Sequence, residues 1–269
     1  MKYFFVLLFF TFLSLTSCTK DKKAPIPEEN STTLKSDSKD LFKVDSVKVQ
    51  DSTKVLKHLT LSFDSKVLVF PNITSKALLD SIYSPVNISV QDYSKNNVLD
   101  ALNKEKEKFY KENTENEEDW KPDFAQIWEQ NSDMNLFSKL NNFMTIKYSM
   151  DGFTGGAHGY YNEIYKVFDT EKNSTLKLKD VVKNPTDKIW PKILMNNFLN
   201  GDLENGQAEM LLVKEIPLNN NFYFDQENLY FLYNQYEITA YAAGTVLIKI
   251  PFTEIKPLLT PEFKASLKL

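Results

Sequence analysis

The stretch that most constrains the fold is Asp151 to Tyr161, which reads DGFTGGAHGYY. It holds four of the seven glycines of the chain and one of its two histidines. The flanking segments NFMTIKYSM and YNEIYKVFD alternate apolar and polar residues, which predicts two β-strands. Because glycine adopts positive φ without a Cβ clash, the stretch predicts a hairpin connection with an unusual backbone.

Similar patterns along the chain predict the other elements. FKVDSVKVQ and HLTLSFDSKVLVF have the period of strands, and NFYFDQENLYFLY predicts a hairpin around Asp225 to Asn228. A long helix is predicted over KNNVLDALNKEKEKFYKENTE, with Val98, Leu102 and Phe109 on one face, and another after Pro191. Strands and helices come in runs, which predicts an α+β fold with antiparallel sheets and a few packed helices.

The N-terminus reads MKYFFVLLFFTFLSLTSC, with one lysine, an apolar run and small residues in the order of a secretory signal peptide. The apolar run is shorter than the ~20 residues that span a bilayer. Its last four residues, Leu15 to Cys18, resemble a bacterial lipobox, in which the cysteine is acylated. We therefore expect Cys18, the only cysteine, to attach the chain to a membrane through acyl chains such as palmitate.

The predicted organisation has four parts. A lipoprotein signal peptide covers residues 1–17, and a charged, Ser-, Thr- and Pro-rich segment over residues 18–41 predicts a flexible, lipid-anchored tether. An N-terminal α+β lobe covers 42–132 and a C-terminal α+β domain covers 133–269. We expect the protein on the extracytoplasmic side of the cell envelope, in the outer membrane of a Gram-negative bacterium.

Composition excludes several functions. The formal net charge is −4, and no basic cluster predicts nucleic-acid binding. A single cysteine and two widely spaced histidines, His58 and His158, predict neither a metal site nor a cofactor. His158 could act in acid–base catalysis only beside an orienting partner, so we expect it to hydrogen-bond the loop backbone instead.

Two segments carry a resemblance to a known family. FTGGAHGYYNEIYKVFDTEKNSTLKLKDVV and NFYFDQENLYFLYNQYEITAYAAGTVLIKIPFTEI resemble the extracytoplasmic domain family shared by the anti-sigma factor RsiV and the peptidoglycan deacetylase PdaC, the DUF3298 family. The resemblance covers about residues 136–255, and the preceding lobe more weakly resembles a DUF4163 domain. Where family members commonly have proline, this chain has Ala240, which removes a φ constraint.

The resemblance implies a non-catalytic recognition protein of the envelope that binds peptidoglycan or a protein acting on it, such as lysozyme. Two alternatives stay open: a cell-wall glycan hydrolase using Glu163 and Glu237, and a structural envelope lipoprotein. We also predict that the two motifs pack together, with Gly155 and Gly244 allowing close backbone approach. The candidate binding or motif residues are Thr154, Gly155, Gly156, His158, Gly159, Tyr160, Tyr161, Glu163, Tyr236, Glu237, Tyr241 and Gly244.

Overall fold

The computed structural model describes residues 43–114, 122–201, 203–204 and 206–269. The predicted signal peptide, the tether and Cys18 lie outside the described residues. Residues 42–269 group into one compact unit. No helix among the described residues is long and apolar enough to cross a membrane.

The fold is α+β, as predicted, with two sheets and short helices. The strands are β1 (Asp45–Leu56), β2 (Leu59–Val69), β3 (Gln126–Leu140), β4 (Phe143–Phe153), β5 (Tyr160–Asp169), β6 (Ser174–Thr175), β7 (Phe222–Phe224), β8 (Asn228–Tyr233) and β9 (Val246–Pro251). The helices are α1 (Lys76–Tyr83), α2 (Lys95–Glu112), α3 (Leu178–Val181), α4 (Ile189–Leu199), α5 (Phe252–Ile255) and α6 (Pro261–Leu267), with 3-10 turns at Ser84–Val86, Tyr241–Ala243 and Lys256–Leu258.

The larger sheet has six strands in the order β1 to β6, and the smaller sheet has the order β7, β8, β9. Neighbouring strands are antiparallel except β2 and β3, which are parallel. The prediction of antiparallel sheets is therefore corrected at this one pair. A parallel connection needs a crossover, which α1 and α2 provide, and the predicted α2 residues Val98, Leu102 and Phe109 are buried.

Two hydrophobic cores lie on opposite faces of β4 and β5. Met144, Ile146 and Tyr148 belong to the core formed with α1, α2 and β2. Tyr165 and Val167 belong to the other core, which also contains the smaller sheet and the C-terminal helices. The strands alternate side chains between faces, so each of the two cores uses one face of the same sheet.

The predicted boundary between residues 132 and 133 falls within β3, so the six-stranded sheet continues across it. The helix predicted to follow Pro191 is α4, which begins before that proline, at Ile189. Proline is tolerated in the first turn of a helix, where N–H groups have no intrahelical partner. The predicted hairpin at Asp225 to Asn228 is present between β7 and β8.

Candidate functional site

The glycine-rich stretch connects β4 to β5 as an antiparallel hairpin, as the alternating flanks predicted. Gly155 and Gly156 have φ values of 92° and 93°. Residues that have a Cβ rarely adopt such positive φ values. The backbone of the turn, with the exposed Thr154 at its start, therefore depends on these two glycines.

Close backbone approach occurs at two other glycines of the same hairpin. A Cβ on Gly152 would lie 2.3 Å from the Glu129 backbone oxygen, and a Cβ on Gly159 would lie 2.6 Å from the Gly152 oxygen. The predicted role of Gly244 in close approach is wrong, because a Cβ there would meet nothing within 4 Å. Gly244 has φ 69° and ψ −152°, a conformation essentially restricted to glycine, so its role is to shape its own chain segment.

The hairpin loop packs against the YEITAYAAG segment, as predicted. The Tyr241 hydroxyl donates a hydrogen bond of 3.0 Å to the Gly159 oxygen. The His158 ring stacks on the Tyr241 ring with centroids 4.0 Å apart. The His158 Nδ1 atom lies 2.8 Å from the Gly159 oxygen. His158 therefore hydrogen-bonds the loop backbone, as its sequence context predicted.

Three rings, His158, Tyr236 and Tyr241, form what we term the aromatic surface. The Tyr236 ring centroid lies 6.5 Å from that of His158 and 5.8 Å from that of Tyr241. Tyr236 is 61% exposed, and its positive φ of 66° is uncommon for a residue other than glycine. An exposed large ring in a strained backbone position is a feature that the turn alone does not require.

Glu163 on β5 is buried, with a relative exposure of 8%, and both of its carboxylate oxygens accept hydrogen bonds. The hydroxyls of Tyr161 and Tyr165 donate hydrogen bonds of 2.5 and 2.6 Å to separate oxygens. The Lys147 ammonium lies 2.9 Å from Oε2. Carboxylate, tyrosines and lysine thus form a charge-assisted cluster, whose bonds are among the stronger ones in proteins.

The electrostatic environment of Glu163 keeps the side chain ionised. Burial by itself raises the pKa of this carboxyl, but the hydrogen bonds from Tyr161, Tyr165 and Lys147 outweigh that effect and lower the pKa below its usual value. Burial, together with the bond to Glu163, raises the pKa of Tyr161 to about 12. A carboxylate with a lowered pKa is a poor general acid, since that role needs a raised pKa.

Two asparagines that the sequence patterns did not indicate clamp the β5 backbone at Glu163. The Asn234 side-chain amide accepts a hydrogen bond of 2.8 Å from the Glu163 backbone N–H and donates one of 3.1 Å to the Glu163 backbone carbonyl oxygen. The Asn221 amide donates to that same oxygen at 2.7 Å and accepts from the Tyr165 N–H at 2.7 Å. These amides tie β5 to the segments that precede β7 and follow β8. Asparagine is common in loops, so no sequence signal singled them out.

Glu237 is exposed and closes the turn that begins at Asn234. Its Oε2 atom accepts a hydrogen bond of 2.8 Å from the Asn234 N–H. Neither Glu237 nor Glu163 lines any of five cavities found among the described residues. The two carboxylates are therefore not brought together in one of these cavities.

The remaining candidate residue, Tyr160, begins β5 and is 40% exposed. Its ring lies over Gly152, where an added Cβ would come within 2.7 Å of the hydroxyl. Among the residues that the structure describes, no group of three or more His, Cys, Asp or Glu side chains is placed to hold a metal ion.

Residues 167–253 match the model of a family described as a protein of unknown function, DUF3298. The matched region begins within β5, after the TGGAHG loop. It includes the YEITAYAAG segment. No curated protein matches the chain significantly, and the DUF4163-like character of the N-terminal lobe stays a prediction.

Two crystal structures have a similar fold. A member of the DUF3298 family from Bacteroides fragilis NCTC 9343 superposes with a TM-score of 0.66 at 21% identity, over 84% of this chain and 97% of that chain. A DUF3298 family protein from Pseudomonas aeruginosa PAO1 gives a TM-score of 0.55 at 16% identity, over 83% of this chain and 97% of that chain. Residues 167–253 thus match the DUF3298 model, and the fold is similar to those of two DUF3298 family proteins.

Proposed function

We propose that the protein is a non-catalytic recognition protein of the cell envelope, and that the aromatic surface is its binding site. The observation that carries the proposal is the cluster of the exposed His158 and Tyr236 rings with the half-buried Tyr241 ring. The ligand is peptidoglycan or a protein that acts on it, such as lysozyme. Aromatic rings present large contact area with a polar tip, and tyrosine is enriched at the energetic centres of protein interfaces.

The local structure supports binding because it holds the rings in place before any ligand arrives. The bond from the Tyr241 hydroxyl to Gly159 joins two segments that are distant in sequence. The His158 ring is held by stacking on the Tyr241 ring and by the hydrogen bond between its Nδ1 atom and the Gly159 oxygen. A preorganised surface loses less conformational entropy when it binds.

The carboxylates favour binding over glycan hydrolysis. A glycosidase needs one carboxyl group as proton donor and a second, free carboxylate on the other side of the scissile bond. Glu163 is ionised and its oxygens are engaged by Tyr161, Tyr165 and Lys147. Glu237 is engaged in its own turn. Glu163 therefore does not offer the proton donor that the alternative function needs.

The location of the protein is part of the proposal and rests on the sequence. Acylation of Cys18 would attach the chain to a membrane, and the segment over residues 18–41 would separate the folded part from the lipid surface. Such a tether raises the local concentration of a binding domain near the cell wall without fixing its orientation. An envelope location and an aromatic binding surface are consistent with each other.

The test replaces Tyr236 by asparagine in the purified full-length protein. Asparagine tolerates positive φ, so Tyr236→Asn removes the ring while keeping the turn. We expect binding to purified peptidoglycan sacculi or to lysozyme to weaken about tenfold or more, the effect of losing one central interface residue. Phe124→Ala is the matched control, because Phe124 is 63% exposed and lies outside the aromatic surface. The proposal would be contradicted if both variants weakened binding equally, or if neither variant weakened it.

A further inference from the structure

A narrow groove lies on the α2-covered face of the six-stranded sheet, beside the loop end of the β4–β5 hairpin. Its floor is formed by β2 to β5, and its wall by α2 and the 3-10 turn Ser84–Val86. The groove has a volume of about 200 Å³. Sites for drug-sized ligands occupy about 300–1,000 Å³, so this groove is suited to a single small ring.

The strand register explains why the groove is open. Gln130 on β3 pairs with Gly152 on β4, and Gly152 pairs with Tyr160 on β5. Side chains of paired residues lie on the same face of a sheet. Because Gly152 has no side chain, the Tyr160 ring lies over it and forms one end of the groove.

Polar groups without partners converge on this groove, which we term the amide groove. The side chains of Asn87, Gln130 and Asn162 line it and make no hydrogen bond with any described residue. Glu105 on α2 also lines it, is half-buried, and has no ion pair among the described residues. Each amide offers both donors and an acceptor, and the carboxylate offers acceptors alone.

Ser65, Asn131 and Ser132 also line the groove: the two serine hydroxyls share a hydrogen bond of 2.5 Å, and the Asn131 amide donates to the Asp151 carboxylate. The remaining lining is apolar or aromatic. Val86 and Met150 are half-buried, and Leu102 is fully buried at the base. The half-exposed Tyr160 ring adds a flat face at one end. The groove therefore offers several neutral hydrogen-bonding groups, one aromatic face and a small apolar area, with a single negative charge.

We propose that the amide groove binds one N-acetylated sugar ring of a glycan. A sugar ring has the many hydroxyls that unpaired amides and a carboxylate recognise, and its C–H face stacks on an aromatic ring such as that of Tyr160. The methyl of an acetamido group would contact the apolar side chains of Val86 and Met150, which line the groove. This inference rests on the proposed envelope function, and it assigns the glycan part of recognition to a site outside the aromatic surface.

The experiment titrates the full-length protein with a trimer of N-acetylglucosamine, and NMR shifts of the protein give the Kd. We expect saturable binding that weakens about tenfold or more in Tyr160→Ala, given the usual strength of aromatic contacts. Asn162→Ala should also weaken binding. Because Asn162 is exposed, this variant keeps the test valid if Tyr160→Ala unfolds.

A control variant shows whether a loss of trimer binding is specific to the groove. Gln50→Ala replaces an exposed amide on β1, outside the groove, and should leave the Kd unchanged. The proposal is overturned if the wild-type protein does not bind the trimer, or if the groove variants bind it as well as wild type. Groove variants that lose lysozyme alone would indicate a protein ligand and would also overturn it.

Discussion

At the scale of single residues, the contacts of Glu163 explain how its charged side chain can be buried. It is nearly buried, yet it receives two tyrosine hydroxyls and one lysine ammonium. A buried charge is tolerated only when it is paired and hydrogen-bonded. The sequence made Glu163 a candidate catalytic carboxylate, whereas its contacts give it a structural role at the junction of β5 with the smaller sheet.

Glu163→Gln should therefore destabilise the fold. The variant keeps the shape of the side chain but removes the charge that Lys147 and the two tyrosines stabilise. We expect a loss of about 1.5–3 kcal/mol in the free energy of unfolding at neutral pH, the usual value for a hydrogen bond to a charged group. Urea unfolding of the two proteins measures it. Glu237→Gln is the control, and it should cost less because Glu237 is exposed and accepts one local bond.

The stability difference between wild type and Glu163→Gln should depend on pH in a defined direction. The folded-state pKa of Glu163 is lowered, so its contribution is fully present above the unfolded-state pKa of about 4.3. It is lost as the pH falls through the lower, folded-state pKa. The stability difference between wild type and Glu163→Gln should consequently shrink in acid. A difference that grows as the pH falls would contradict the assigned pKa direction.

At the scale of elements, the β4–β5 hairpin uses its glycines in two ways. Gly155 and Gly156 supply positive φ at the turn, and Gly152 and Gly159 supply space where backbones approach. The positive φ was predictable, because a glycine cluster between two strands is typical of a turn whose backbone enters the left-handed region. The close approach was not predictable, because it depends on the β3 backbone, which lies beside Gly152 only in the folded sheet.

Gly152→Ala should lower the Tm more than Gly156→Ala, and His158→Ala should lower it least. The first change forces a Cβ to within 2.3 Å of a backbone oxygen in the sheet interior. The second adds backbone strain of about 1–3 kcal/mol without a clash. The third removes an exposed ring. Thermal melts of the three variants give the order, and the lowest Tm in His158→Ala would mean that this ring has a structural role of its own.

Strand β3 shows the limit of sequence patterns in this chain. Its residues QIWEQNSDMNLFSKL are mostly polar, and Met134 is its one fully buried residue. A period of two requires one face to be apolar, but here one face carries polar pairs such as Lys66 with Asp133 and Asn131 with Asp151. The strand is held by its neighbours β2 and β4, and its own sequence does not indicate this.

At the scale of the whole molecule, one six-stranded sheet organises both halves of the folded part. The sequence predicted an N-terminal and a C-terminal lobe with a boundary in what proves to be β3. Because β4 and β5 contribute side chains to both cores, damage to this hairpin should affect the packing on both faces. The same hairpin also carries the loop of the aromatic surface and Tyr160 of the amide groove, so both proposed binding regions are built on one rigid element.

The most direct test of the central claim, binding without turnover, incubates the full-length protein with purified peptidoglycan sacculi and, separately, with lysozyme. Sedimentation measures the protein bound to sacculi, a pull-down measures lysozyme binding, and released reducing ends measure glycan cleavage. We predict binding to at least one of the two ligands, with reducing ends at the level of a protein-free control. Release of reducing ends that Glu163→Gln abolishes, or binding to neither ligand, would contradict the proposed function.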